Sequence, residues 1–303
     1  MLHSNKINNI LIDFLSGGIS GTIAKTITAP LEIVKLIHQT QSHEKYKKKG
    51  ILLSIEHLIK EKGIFSLWRG NLSNILRYFP LQAINFSVKG QIDDIITGKF
   101  NNNQNLINKH PYEFFLRKLL CGGIAGAIGL FCVYPLDFTR TKLGVDVKKE
   151  YNGIYDCIKK IIKKEGIKGV YQGFGVSIIG IIIYRGFYFG LYDFGKKYFL
   201  KSNNSLIYKF IMAQSVSLIS ENISYPIDTI RRRLMVESGK HYDDKKYVNA
   251  WDCIKFIYKE NGYKGFYKGI YANFFRSISS SLVLVLYDEI NKFMKEEEKK
   301  LLL

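Results

Sequence analysis

A motif that returns three times constrains this chain more than any other feature. Pro30-Leu31-Glu32-Ile33-Val34-Lys35 recurs as Pro135-Leu136-Asp137-Phe138-Thr139-Arg140 and again as Pro226-Ile227-Asp228-Thr229-Ile230-Arg231. Further along, each copy is followed by an aromatic, a polar or basic residue and a glycine: Trp68-Arg69-Gly70, Tyr171-Gln172-Gly173 and Tyr267-Lys268-Gly269. Two linked motifs in register signal internal triplication, with units of about 100 residues. The units are placed at 8–100, 111–200 and 205–297, within one domain spanning 1–303.

Each unit reads alike. An apolar segment ends at the proline motif, a polar connector carries a short amphipathic run ("ILLSIEHLIK", "IYDCIKKIIKK", "WDCIKFIYKE"), and a second apolar segment follows. Residues 119–136 contain no charge, and 174–192 contain only Arg185. Both meet the length of a spanning helix. Mean hydropathy is near zero because basic connectors dilute the average. The reading is an all-α membrane protein with six transmembrane helices at 8–40, 71–97, 112–142, 174–198, 206–236 and 270–295. These form three pseudo-symmetric repeats around a central cavity, with three short surface helices.

The net charge of +19 admits a nucleic-acid binder, a membrane-surface protein or a handler of small anions. A nucleic-acid binder needs neither uncharged spans nor prolines before acid-base pairs. The chain has no GxxxxGK[ST] loop, no HExxH and no nucleophile-base pair, so it does not read as an enzyme. The connectors 41–69, 143–172 and 237–268 each hold about seven Lys/Arg, and those between units hold far fewer. The positive-inside rule puts the long loops on one inner face and both termini on the other side. Cys121, Cys132, Cys157 and Cys253 form no metal spacing, so no metal site is expected; they read as small buried side chains. The N-terminal residues show no Arg-rich presequence, which makes any targeting signal internal.

Acid and base in the motif lie three apart on one helical face. The proline should kink its helix, and broken membrane helices line cavities. The bases Lys35, Arg140 and Arg231 are positioned to pair with acids of neighbouring helices, closing the inner face with a ring that substrate can break. Gly17/Gly21 and Gly122/Gly126 suit close helix approach, with Ala213/Ser217 in the third unit. Lys25, Arg77, Arg185 and Arg276 are costly inside spans and should face a cavity that holds an anion or an acid.

Three copies of Pro-x-acid-x-x-base with the aromatic-x-glycine element resemble the mitochondrial carrier family over essentially the whole chain. "LWRGNLSNILRYFPLQAINF", "YQGFGVSIIGIIIYRGFYFGLYD" and "LVLVLYDEI" are similar to its adenine-nucleotide-exchanging subgroup, as is the run Arg231-Arg232-Arg233. The resemblance implies exchange of ADP and ATP across the mitochondrial inner membrane by alternating access. It implies a monomer with no cofactor, bound to membrane lipid, in particular cardiolipin. Arg77, Gly180-Ile181 and Arg276 would be substrate contact points, with Lys25, Arg77 and Arg276 on phosphates. Gly180, Ile181 and Tyr184 would hold the adenine ring. Glu32, Lys35, Gln39, Asp137, Arg140, Asp228 and Arg231 would form the inner gate. A carrier for another nucleotide, a CoA-like compound or phosphate is the alternative.

The chain departs from the pattern in four places, the first being Leu234 and Val236, which stand where the subgroup has methionines after the arginine run. The outer gate keeps one acid-base pair, Asp193 and Lys196; the second helix offers Gly90 and Asp93, and the sixth Asp288 and Asn291. A weak outer gate should favour the outward-open state. Glu221 stands in a stretch of the fifth helix that is small and apolar in the subgroup; it admits roles in ion pairing, substrate preference, proton coupling or helix packing. In the third unit, Ala250 is read as replacing the glycine of Gly50 and Gly153, weakening a lipid-headgroup contact there.

Overall fold

The computed structural model describes the chain apart from residues 1, 41–49, 78–79, 82–91, 93–94, 97–110, 147–148, 200–205, 241–243, 272–289 and 291–303, and apart from the side chains of 2–17, 51, 111, 115, 118, 193, 196–199 and 206–210. Most of the second and sixth expected spans, including Gly90, Asp93, Arg276, Asp288 and Asn291, lies outside these residues. The other four are long helices: α1 (Leu2–Thr40), α3 (Pro111–Val145), α5 (Phe174–Phe199) and α6 (Leu206–Glu237). The short helices α2 (Ile51–Lys62), α4 (Ile154–Val170) and α7 (Ala250–Asn261) occupy the three amphipathic runs. Helical stretch 71–77 begins the second span. Among the described residues there is no strand. The fold is all-α.

The long helices are turned inside out relative to a soluble bundle. On α3, Leu116, Leu120, Ile124 and Ile128 are exposed at four-residue spacing, and on α1 so are Ile19, Ile23 and Ile27. Such rows suit a hydrocarbon solvent. Charged groups such as Asp137, Arg232 and Arg233 are buried instead. Cys132 also faces outward, contrary to the expectation of a buried thiol. Cys157 and Cys253 are buried on α4 and α7, where burial pushes both thiols up to about 12 and keeps them protonated.

The two repeated motifs explain each other. A proline inside a helix supplies no N–H, so the carbonyl four residues earlier loses its donor. α1, α3 and α6 nevertheless run through Pro30, Pro135 and Pro226 as continuous helices. Trp68 Nε1 donates to the Thr26 carbonyl at 2.8 Å, the one freed by Pro30. Tyr171 Oη donates to the Phe131 carbonyl at 3.2 Å, the one freed by Pro135. In units one and two the aromatic of the second motif thus satisfies the backbone group exposed by the proline of the first. In units two and three the residue before the proline is tyrosine, and it returns the contact. Tyr134 Oη donates to Gln172 O and Tyr225 Oη to Lys268 O, each at 2.8 Å.

The glycine that ends the second motif is required twice over. Gly70, Gly173 and Gly269 have φ of 82°, 84° and 83°, in the left-handed region. A Cβ would lie 3.0 Å from Arg140 O, 3.1 Å from Arg231 O and 3.3 Å from Lys35 O respectively. Each glycine therefore seats against the backbone of the motif base in the next unit, and the third returns to the first. This cyclic joint packs the inner ends of the three units around one axis.

Two expectations are corrected here. The cradle at Gly122/Gly126 is filled by the Arg185 side chain, not by a close helix backbone: Cβ atoms there would fall 2.6 and 3.0 Å from its guanidinium nitrogens. Arg185 thus sits in the groove between α3 and α5 and is absent from the cavity lining. The residue at the helix start in unit three is Asn249, not Ala250. The N-caps of α2, α4 and α7 are Gly50, Gly153 and Asn249, and the spacing to Asp156-Cys157 and Asp252-Cys253 gives the same register. Asn249 accepts a hydrogen bond from Asp252 N at 2.9 Å, whereas neither glycine has a side-chain cap.

Candidate functional site

The motif acids and bases converge where α1, α3 and α6 meet. Lys35 Nζ lies 3.8 Å from Asp228, and Arg140 pairs with Glu32. Arg231 lies 3.6 Å from Asp137 and 2.7 Å from its own-helix Asp228. Each base thus reaches an acid of a different unit, and the three links form a closed cycle. Gln39 reinforces it, donating to Asp228 at 2.9 Å and to Thr229 at 3.2 Å. Lys35 also stands 5.1 Å over the Tyr225 ring, a cation–π contact.

Asp137 is fully buried and attracts more than its ring partner. Arg77 lies 3.5 Å away and Arg232 3.3 Å away, so three arginines share one carboxylate. On the first unit, Glu32 takes Arg140, Lys25 at 3.5 Å and an amide hydrogen of Asn74 at 3.2 Å. Lys25 and Arg77 are therefore held by ring acids, a linkage that the spacing of either residue does not reveal.

Above the ring opens a cavity of about 420 Å³. Its described lining holds six cations (Lys25, Lys35, Arg77, Arg140, Arg231, Arg232) and three carboxylates, Glu32, Asp228 and Glu221. The cations Lys25 and Arg77 come from α1 and stretch 71–77. α5 and α6 add an uncharged set, Ser177, Gly180, Ile181, Tyr184, Ser224, Tyr225 and Ile227, while α6 also carries the charged Glu221, Asp228, Arg231 and Arg232. A Cβ at Gly180 would lie 3.2 Å from Ile227, and Tyr184 Oη lies 3.3 Å from Ser217 Oγ. Tyr184, Tyr188 and Tyr192 stack along α5 with centroids 5.9 and 6.0 Å apart. The lining thus combines six cations with an aromatic and apolar stretch, a chemistry matched to an anion with a planar end.

The sequence profile described as mitochondrial carrier protein matches residues 7–100, 112–203 and 202–298. The chain belongs to the mitochondrial carrier family. It is 44% identical over 292 residues to ADP/ATP translocase 2 of Bos taurus, an alignment covering 93% of this chain and 96% of the relative. To ADP/ATP translocase 3 of Homo sapiens it is 44% identical over 293 residues, covering 92% and 96%. It is a carrier, and so a transporter rather than an enzyme.

Within this carrier the arginine run divides. Arg231 is in the ring. Arg232 lines the cavity, and it contacts Asp137 and Thr141. Arg233 is absent from the cavity lining: it is buried, donates to Gln39 O at 3.2 Å and lies 3.9 Å from Glu260 on α7. Its role in the structure is to tie α6 to α1 and α7. Asp193 and Lys196 fall on α5, but their side chains lie outside the described residues. Sequence reasoning missed Asn74, although Asn273 stands at the same offset after the motif glycine of unit three, and Tyr134 and Tyr225, whose recurrence before proline was in plain view.

Proposed function

We propose that this carrier exchanges ADP for ATP across the mitochondrial inner membrane by alternating access. The observation that carries the proposal is the linkage between the cavity cations and the ring. Lys25 is held by Glu32 and Arg77 by Asp137. A nucleotide whose phosphates take Lys25 and Arg77 withdraws them from the two ring acids, so binding biases the ring toward opening. Arg is suited to phosphate by its planar fork, and Lys acts as a point charge. Gly180, Ile181 and Tyr184 take the base, with Arg276 as a further phosphate contact. The names of the 44% identical relatives support the same substrate pair.

With the ring closed, the cavity opens toward the side opposite the basic connectors, which in this reading is the intermembrane space; both termini lie there. A depleted outer gate makes this the resting state. Labelling a cysteine introduced into the cavity tests that part: protection from an outside reagent without ligand would contradict it. A second cavity of about 470 Å³ includes Gly70, Gly153, Trp68, Arg69 and Tyr151 between units one and two. Uncapped helix amides at Gly153 and an apolar wall suit a phospholipid such as cardiolipin.

The decisive experiment reconstitutes the protein in liposomes. Labelled ADP uptake is measured against internal ATP, GTP or phosphate. Uptake that requires internal ADP or ATP supports the proposal. Uptake driven only by phosphate or GTP would replace it.

A further inference from the structure

One carboxylate in the cavity has no part in the ring. Glu221 lies on α6 seven residues before Asp228, about 10 Å further along the helix. It lines the same cavity as Lys25, Arg77 and the ring cations. Its neighbours on α6 fix its place. Ser217, one turn before it, meets Tyr184 at 3.3 Å, and Ile227, further along, packs against Gly180. Glu221 therefore stands beside the Gly180–Tyr184 wall, while Lys25 and Arg77 project from α1 and stretch 71–77. Glu32 and Asp228 are engaged by the ring bases, so Glu221 is the described lining carboxylate outside the ring, set among Lys25, Arg77 and the other lining cations.

We propose that Glu221 is a specificity-determining residue that discriminates among nucleotides by phosphate charge. It favours the less charged diphosphate over the triphosphate and holds the phosphate chain toward Lys25 and Arg77. The inference rests on the nucleotide reading above. A carboxylate in the cavity repels every bound phosphate charge, and the cost grows with each one added. At a separation near 10 Å and an effective dielectric between those of protein and water, each added charge weakens binding about three- to fivefold. A neutral side chain at 221 removes that term. The base-holding wall is left in place, so affinity rises most for the most charged ligand.

The test compares the full-length wild type with Glu221→Gln and Glu221→Asp in liposomes, using unlabelled ADP and ATP, without magnesium, to compete with labelled ADP uptake. The readout is the ratio of the two half-inhibitory concentrations, which is independent of how much protein folds. Glu221→Gln should shift that ratio about three- to fivefold in favour of ATP. Glu221→Asp, which keeps the charge, should stay near the wild-type ratio, and raised salt should narrow the gap between wild type and Glu221→Gln. An unchanged ratio in Glu221→Gln, or an equal shift in Glu221→Asp, overturns the inference and leaves nucleotide exchange standing. A wild type that takes up no ADP against internal nucleotide overturns both.

Discussion

The ring and the cavity above it are built on opposite rules. At the ring, each unit supplies the same proline, acid, base and glycine, and the contacts cycle through the three units with one pattern. In the cavity, Lys25 comes from unit one alone, Gly180, Ile181 and Tyr184 from unit two, and Glu221 from unit three. Threefold repetition can build a closure, because closing requires three equivalent ends to meet. It cannot build a site for an asymmetric ligand, whose charged and planar ends need different walls. On the function proposed above, repeated residues hold and close this carrier, and the unrepeated Lys25, Ile181, Tyr184 and Glu221 help to recognise what it carries.

The largest break in the repeated part should come from its glycines. Gly173→Ala places a side chain at φ 84° and 3.1 Å from Arg231 O. Left-handed strain and overpacking together cost about 2–4 kcal/mol. Thermal unfolding in detergent should show a drop larger than for Gly175→Ala on α5, where a Cβ meets nothing within 4 Å. Equal drops would mean that the joint tolerates a side chain.

Next comes the ring itself. Arg140→Ala removes the unit-two partner of Glu32 and leaves it Lys25 and Asn74. Loss of one charge-assisted contact costs about 2 kcal/mol. The more telling effect is on transport, since a ring that closes poorly loses its alternation. Exchange should fall steeply, and the swap Glu32→Arg with Arg140→Glu should restore part of it. A swap no better than the single variant would show that the pair acts only through other partners.

A smaller effect tests a joint that the repeat does not share. Glu165 on α4 reaches into unit three, accepting from Ser238 Oγ and Gly239 N at 2.9 Å each and pairing with Lys245 at 2.6 Å. Burial would raise its carboxyl, but those donors outweigh burial and hold it below the ordinary 4.5. A group depressed on folding contributes stability above its unfolded value, and that contribution disappears as pH falls through the folded one. The stability gap between wild type and Glu165→Gln should thus be full at pH 7 and close below about pH 4.5. A gap that persists at low pH would exclude the carboxylate as its source.

How much of this was legible follows from the same division. The ring residues, the helix order and the surface helices were readable because three copies check one another. Arg185 was misplaced because its charge pointed to a cavity, whereas the space left by Gly122 and Gly126 between α3 and α5 takes its side chain. The separate places of Arg231, Arg232 and Arg233 were not legible, because three adjacent arginines point in three directions on a helix and composition says nothing of which. Arg77's attachment to Asp137 depends on the register of one helix against another, which no local pattern encodes.

The smallest test concerns the helix starts, where unit three again departs from the others. Asn249 occupies its own first-turn amide through Asp252 N, whereas Gly50 and Gly153 leave theirs uncapped. Asn249→Ala should cost about 1 kcal/mol and Asn249→Gly only a few tenths. The glycine variant is the sharper one, since it makes unit three like the others and frees an amide for an anionic headgroup. Unfolding followed with and without cardiolipin should show a larger lipid-induced stabilisation in Asn249→Gly than in wild type. Equal stabilisation would mean that the asparagine cap is no substitute for a lipid phosphate, and that the third unit's departure is confined to its own helix.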